Sequence, residues 1–211
     1  KFFKDYYTYN FLREPKNIIF VNDPILVREK LSTPLSSKPI ILFAGRFVTY
    51  KNLKMVLKSF AKVLDQKPEA RLSLIGKGPE KEDLEMLVKD IGLKEGVSFT
   101  DSLPQEELFK RIRDSAFSLA PALNEFNPNF ILESLSFGKP VLISKGHGLS
   151  VSLEDEFVFD SKDESELVNK MLFLLDEENY KEALRKIHAL DLNQTWEDVL
   201  NFHVKLIKEN I

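Results

Sequence analysis

Two glutamates, Glu125 and Glu133, stand with seven residues between them in the segment from Ala122 to Val141. The intervening residues spell the start of a helix. Asn127 supplies an N-cap, and Pro128 fits the first helical position, where its missing N–H costs nothing. Ile131, Leu132 and Leu135 mark a buried face, and Gly138 followed by Pro140 ends the helix. The first turn of such a helix offers backbone N–H groups to an anion. Glu133 lies one to two turns further in, with its side chain leaning back toward the N-terminus. A carboxylate there can accept hydrogen bonds from sugar hydroxyls beside a bound phosphate, which outlines a nucleotide-sugar site. The plainer reading is a strand–loop–helix whose charges face water.

A departing nucleoside diphosphate accumulates negative charge, which needs a metal, fixed cations or aligned amides to stabilise it. Gly45 and Arg46 follow the first strong apolar run, and Lys51 comes five residues later at a helix start. Arg46 offers a planar fork to phosphate oxygens, whereas Lys51 acts as a point charge. Taken singly, Arg46 could cap a carbonyl and Lys51 could be a solvated helix-end lysine. Gly76-Lys77-Gly78-Pro79 follows the next strand-like run. It lacks the full dinucleotide fingerprint, so a Rossmann dehydrogenase is unsupported. Its glycines suit either a turn with positive φ or a close backbone approach. Thr100 to Pro104, after the third run, is expected to border the base.

The Glu125-x7-Glu133 spacing, the Pro128-Asn129 step and the Gly138-Lys139-Pro140-Val141 exit resemble the signature of retaining glycosyltransferases of family 4, also called group 1. The Gly45-Arg46…Lys51 arrangement is similar to that family's diphosphate clamp, and Gly76 to Pro79 to its Gly-x-Gly-Pro turn. The resemblance covers nearly the whole chain and is strongest from Lys38 to Ser144. It implies the C-terminal, donor-binding lobe of a two-lobed GT-B enzyme, with the other lobe missing. By that resemblance Arg46, Lys51 and Glu125 are the catalytic candidates, the two cations neutralising the diphosphate and Glu125 orienting the transferred sugar. Gly45, Gly78, Asn127, Asn129, Phe130 and Glu133 are the donor-binding candidates, Glu133 holding the ribose. The family pattern implies metal-independent transfer of a hexose-type sugar from a nucleotide-diphosphate donor, without a cofactor. The acceptor would be a glycan or a lipid-linked molecule of cell-surface polysaccharide synthesis, gripped by the other lobe. Phe126, Asn127 and Ser134 depart from the pattern, which favours glycine, a small residue and alanine there. Those departures keep open a non-catalytic nucleotide-binding module, and a nucleotide-sugar epimerase lobe is a third possibility.

The elements that must position these residues alternate regularly. Strand-like runs at Pro39–Ala44, Arg71–Ile75, Val97–Thr100, Ala116–Ala120 and Val141–Ser144 are separated by segments with helical periodicity. Leu53, Val56, Leu57, Phe60, Val63 and Leu64 form one such face; Leu84, Leu87, Val88 and Ile91 another; Leu108 and Ile112 a third. This order predicts an α/β fold, a Rossmann-like parallel sheet flanked by helices, with a helical C-terminal third. Arg46, Lys51 and the glutamate loop should then open on one edge, beyond the carboxyl ends of the strands. Ser161 with Glu164, and Thr195 with Asp198, fit capping boxes. Trp196, Val199, Leu200, His203, Leu206 and Ile207 form the apolar face of a terminal helix, His203 partly buried within it. Residues 1–38 read as a leading helix, an outer strand near Ile18–Val21 and a linker. The Rossmann-like domain spans 39–194, and the terminal helix, 195–211, is expected to return toward the missing lobe.

Composition narrows the function classes. With 43% hydrophobic residues in 211, the chain can bury one good core. Its net charge of −3 gives no reason to expect nucleic acid as a partner. The absence of cysteine excludes disulfides and thiolate metal sites. His147, His188 and His203 lack metal-ligand spacing, although His147 in Lys145–Gly148 suits either a loop near ligand or plain surface. No apolar run is long enough to span a bilayer. The chain opens on Lys1 rather than methionine, so a fragment is expected, and the composition as a whole points to a soluble, cytoplasmic module. Phe2, Phe3, Tyr6, Tyr7 and Tyr9 could face a membrane periphery, dock the other lobe or simply pack. The acidic runs at 154–156 and 176–178 are read as solvated loop and helix-terminal charge, with no chemistry assigned to them.

Overall fold

The computed structural model describes residues 30–125, 128–149, 152–192 and 196–210. Residues 25–193 form one compact unit; residues 1–24 with 194–211 form a second. The expected leading helix, the outer strand at 18–21 and the caps at Asn127 and Thr195 lie outside the described residues.

The larger unit holds a six-stranded sheet of β1 (Ile40–Ala44), β2 (Arg71–Ile75), β3 (Val97–Thr100), β4 (Phe117–Ala120), β5 (Val141–Ser144) and β6 (Val158–Phe159). All neighbours pair in parallel, in the order β3-β2-β1-β4-β5-β6. Its connections run through α1 (Leu53–Leu64), α2 (Lys81–Asp90), α3 (Gln105–Asp114) and α4 (Asn129–Ser136); α5 (Glu164–Leu174) and α6 (Glu177–Ala189) follow the last strand. Both faces of the central strands are covered, which is why β1 reads as an unbroken apolar run and β2 and β4 as largely apolar runs with one serine each. Ile41 and Phe43 of β1 join a large cluster with α1, α5 and α6. Leu42, one residue out of phase, joins Ile75, Phe109, Ile112 and Phe137 in a smaller one.

The sequence places five strands within a residue of where they lie. The sixth, β6, is only two residues long and follows the acidic 154–156 turn, so it carries no periodic signal. Those acids are not merely solvated. Glu154 and Glu156 both pair with Lys186, and Asp155 with Lys170 at 3.2 Å. Asp176 caps α6, accepting from the N–H groups of Glu178 and Asn179 at 3.2 and 3.1 Å.

Three helix expectations need correction. Pro128 is the N-cap of α4 rather than its first residue; its carbonyl accepts from Ile131 N–H at 2.8 Å and Leu132 N–H at 3.1 Å. The α5 cap is Asp163, whose carboxylate reaches Glu166 N–H at 2.9 Å, while the Ser161 carbonyl accepts from the Asn52 side chain at 2.9 Å. In the second unit α7 (Trp196–Asn210) leaves His203 exposed, its Nδ1 2.8 Å from the Val199 carbonyl oxygen one turn earlier. Among the described residues, no helix is long and apolar enough to cross a membrane.

Candidate functional site

In a parallel sheet of this order, the chain leaves β1 toward one side and β4 toward the other, opening a crevice above their carboxyl ends. Both candidate segments lie there. Gly45, Arg46 and a 3-10 turn at Thr49–Lys51 follow β1, and Pro121 to Glu125 follow β4.

The first segment is packed rigidly. Phe47 is fully buried and makes an edge contact with Phe99 at 6.1 Å between centroids. Backbone hydrogen bonds lace the turn after β1 to the turn after β2. Gly45 N–H donates to Ile75 at 2.9 Å, Phe47 N–H to Lys77 at 2.8 Å, and Glu80 N–H to Phe47 at 3.1 Å. The two turns approach so closely that a Cβ on Gly78 would lie 2.2 Å from the Phe47 carbonyl oxygen, and one on Gly76 1.9 Å from that of Gly45. Gly76 also has φ +147°, whereas Gly78 is required by the neighbouring backbone alone. Asn52 then adopts the left-handed conformation, φ 57°, which asparagine tolerates better than most residues.

The second segment hangs on hydrogen bonds to both neighbouring loops. Ser144 Oγ donates to the Ala122 carbonyl, Leu123 N–H to Tyr50 at 2.8 Å, and Gly148 N–H to Glu125 at 2.9 Å. His147, half-buried, accepts from Leu149 N–H at Nδ1, and burial pushes its imidazole below the usual value. The expected loop near the glutamates is thus a clasp on the Glu125 main chain.

Lys51 and Glu125 meet directly as an ion pair, each side chain only 16% exposed. With Asn129 and Phe130 they line a cavity of about 130 Å³. Gly45, Arg46, Gly78 and Phe130 line an adjoining cleft of about 500 Å³, together with Ser102, Leu103 and Leu108. Phe130 lines both. Lys77, on the rim, pairs with Asp101 at 3.4 Å, and Lys81 does so at 2.8 Å; these bonds hold the Asp101 carboxyl below the ordinary range. Glu133 is half-buried, one helical turn beyond Phe130, and accepts from Gln105 Nε2 at 3.2 Å. Glu133 is not among the residues lining either cavity; it is linked to the Arg46 cleft through its own helix, where Phe130 lines it, and through Gln105, whose helix supplies Leu108.

Sequence reasoning missed two neighbours of these groups. Tyr50 accepts from Arg46 Nη2 at 3.1 Å and carries the Lys51 ammonium 5.3 Å from its ring centroid. Gln105 braces Glu133 from another helix. The only sequence signal was place: Tyr50 between the two cations, Gln105 just past a strand end. Lys139 and Ser134 have structural work away from the cleft. Lys139 is buried and donates to Thr33 Oγ1 at 3.1 Å and the Ser115 carbonyl at 2.9 Å. Burial pushes its pKa down to about 8. Ser134 donates to Ser118 Oγ at 2.7 Å and lies 2.8 Å from the Phe130 carbonyl.

The sequence model described as Glycosyl transferases group 1 matches residues 28–189, well over half of the chain. The chain belongs to that family. Among curated relatives of this group 1 chain is the sulfoquinovosyl transferase SQD2 of Arabidopsis thaliana, 32% identical over 166 residues, covering 76% of this chain and 31% of the relative. A D-inositol 3-phosphate glycosyltransferase of Corynebacterium jeikeium is 28% identical over 134 residues, covering 60% of this chain and 32% of that one. The chain therefore spans about a third of these relatives' length. Among solved structures, the C-terminal domain of a group 1 glycosyl transferase (LpcC) from Francisella tularensis superposes with a TM-score of 0.68 at 17% identity, covering 79% of this chain and 94% of that one. The fold is that of the C-terminal Rossmann-like lobe of GT-B glycosyltransferases.

Proposed function

We propose that this chain is the donor-binding lobe of a retaining glycosyltransferase that takes a hexose-type sugar from a nucleotide-diphosphate donor. The observation that carries the reading is the meeting of Lys51 and Glu125 across the β1/β4 crevice, with Arg46 and Phe130 on the adjoining cleft. Cations from one loop and carboxylates from another converge where an open parallel sheet binds ligands. The base would lie toward Ser102 and Leu103, with Gly78 leaving its backbone bare. Glu133, braced by Gln105, would accept from the ribose hydroxyls. Arg46 and Lys51 would neutralise the diphosphate with help from amides at the start of α4.

In the transfer itself, the bond between the anomeric carbon and the diphosphate oxygen breaks, and the electron pair leaves with the nucleotide. An acceptor hydroxyl oxygen forms the new bond on the same face of the sugar. Its proton passes to the departing phosphate, so neither a metal nor a protein base is needed. Glu125 would orient the sugar. A glycan or lipid-linked acceptor would be held by an N-terminal lobe, at the cytoplasmic periphery of a membrane. The relatives named as a sulfoquinovosyl transferase and a D-inositol 3-phosphate glycosyltransferase support transfer of a sugar.

Calorimetric titration of UDP, GDP and ADP against wild type and Glu133→Ala tests the assignment. One nucleotide should bind wild type and lose about tenfold or more in the variant, as expected when a charged hydrogen-bond acceptor is removed. Equal binding by both proteins, or by neither, counts against it.

A further inference from the structure

We infer that Glu125 is an internal competitor for the diphosphate site, and that this competition lets the lobe distinguish an intact donor from a spent nucleotide. The inference rests on the donor-binding reading above and concerns which ligand that site prefers. The Glu125 carboxylate sits on the Lys51 ammonium, the cation assigned above to a donor phosphate oxygen. Each side chain is 16% exposed, so solvent screens the pair less than it screens the outer ion pairs of the molecule. Arg46 is paired differently. Its neighbour is the neutral Tyr50 hydroxyl, so its charge is not cancelled by that contact. Among the described residues, one cation is therefore open to phosphate and the other is already paired with a carboxylate.

An arriving diphosphate must displace that carboxylate. The Glu125 main chain is held by Gly148 N–H at 2.9 Å, so exchange requires the side chain alone to turn. A displaced carboxylate beside a new anion is unfavourable unless it gains hydrogen-bond donors. A free nucleoside diphosphate has none to offer at that end. A nucleotide sugar does: hydroxyls of the transferred sugar would enter the cavity that Lys51, Glu125, Asn129 and Phe130 line. The intact donor thus compensates for the broken ion pair, and the bare diphosphate does not. Once the sugar has been transferred, Glu125 returns to Lys51 and helps to expel the product. The same carboxylate that orients the sugar would make product release favourable.

Calorimetry on wild type and Glu125→Gln, using UDP, GDP, ADP and the glucose conjugate of each, separates the possibilities. For the nucleotide that wild type accepts, Glu125→Gln should bind the free diphosphate roughly tenfold tighter. Affinity for the sugar conjugate should stay level or fall, so the preference for intact donor collapses. Glu164→Gln, which removes the same charge beside Lys62 instead, should move neither. Glu125→Asp, which keeps the charge on a shorter arm, should move the diphosphate in the same direction by less. It serves if Glu125→Gln does not fold. Unchanged or weaker diphosphate binding in the Glu125 variants overturns the inference while leaving the donor-binding reading intact. So does equal tightening toward both ligands, which is simple charge removal. If neither wild type nor the variants bind any of these ligands, the donor-binding reading itself falls, and the inference with it.

Discussion

The cationic turn after β1 and the acidic loop after β4 face one another across the crevice, yet different forces hold them. The first carries a fully buried aromatic, Phe47, and is laced by backbone hydrogen bonds to the glycine turn after β2. Among the described residues of the second, Leu123 is 49% exposed, and the loop is tied by single hydrogen bonds to Tyr50, Ser144 and Gly148. Burying a large aromatic contributes a few kcal/mol, whereas one neutral hydrogen bond contributes about 1 kcal/mol. The backbone that carries the cations is thus fixed by the fold, while the Glu125 side chain can change partners at modest cost. A site that must hold a constant charge and release a variable ligand benefits from that division.

The sharpest way to break this comparison is at the glycine turn. Gly78→Ala pushes a methyl to 2.2 Å from the Phe47 carbonyl, where neither backbone can yield without losing the lacing. The account predicts a loss of roughly 3 kcal/mol in urea unfolding. Leu123→Ala, on the acidic side, should change stability by less than about 0.5 kcal/mol. Comparable effects from the two variants would erase the distinction.

Beyond α4, which bears Glu133, Lys139 fixes the far end of the acidic segment, and its buried ammonium makes stability depend on pH. Its folded pKa is depressed from 10.5 to about 8. Between those values the unfolded chain binds the extra proton, so stability rises with pH across that window. Below the folded value the full cost of burying the charge is present. Wild-type stability relative to Lys139→Met should therefore increase by about 2 kcal/mol from about pH 8 to about pH 10. A flat difference would show that the ammonium is not desolvated as described.

A smaller effect is expected where α4 rests on β4. Ser134→Ala leaves the buried Ser118 hydroxyl without its partner and should cost about 1 kcal/mol, with Ser118→Ala in the same chain recovering part of it. Additive losses would show that the two hydroxyls act independently. A smaller change still is expected in ligand binding, where Tyr50→Phe removes the acceptor for Arg46 while keeping the ring beside Lys51. Nucleoside diphosphate binding should weaken about threefold, and monophosphate binding less, if these cations address the second phosphate as proposed. Equal weakening of both would assign Tyr50 to packing.

Much of this architecture was legible in the residues because its signals are local. Buried parallel strands such as Ile40–Ala44 and Val141–Ser144 are short, largely apolar runs, and α1 shows its face at a period of 3.6. The edge on which Arg46 and Glu125 lie followed from strand order alone. What stayed hidden depends on pairs distant in sequence. Nothing near Gly78 reveals that Phe47's carbonyl will press against it, and nothing near Glu133 reveals Gln105. Ser134 read as a departure from the family pattern, but it is one half of a buried hydroxyl pair whose other half lies sixteen residues earlier. The Asp163 cap was misassigned to Ser161 because both residues suit a cap, and only the fold draws the Ser161 carbonyl toward Asn52.

The central claim is that the two loops grip a single ligand. An amide-resolved NMR titration with UDP, repeated with GDP and ADP, tests it most directly. The account predicts that for one nucleotide the amides of Gly45–Lys51 and those of Asn129–Glu133 shift together, along curves that fit one Kd. Movement of only one group, or two groups following different affinities, would contradict it.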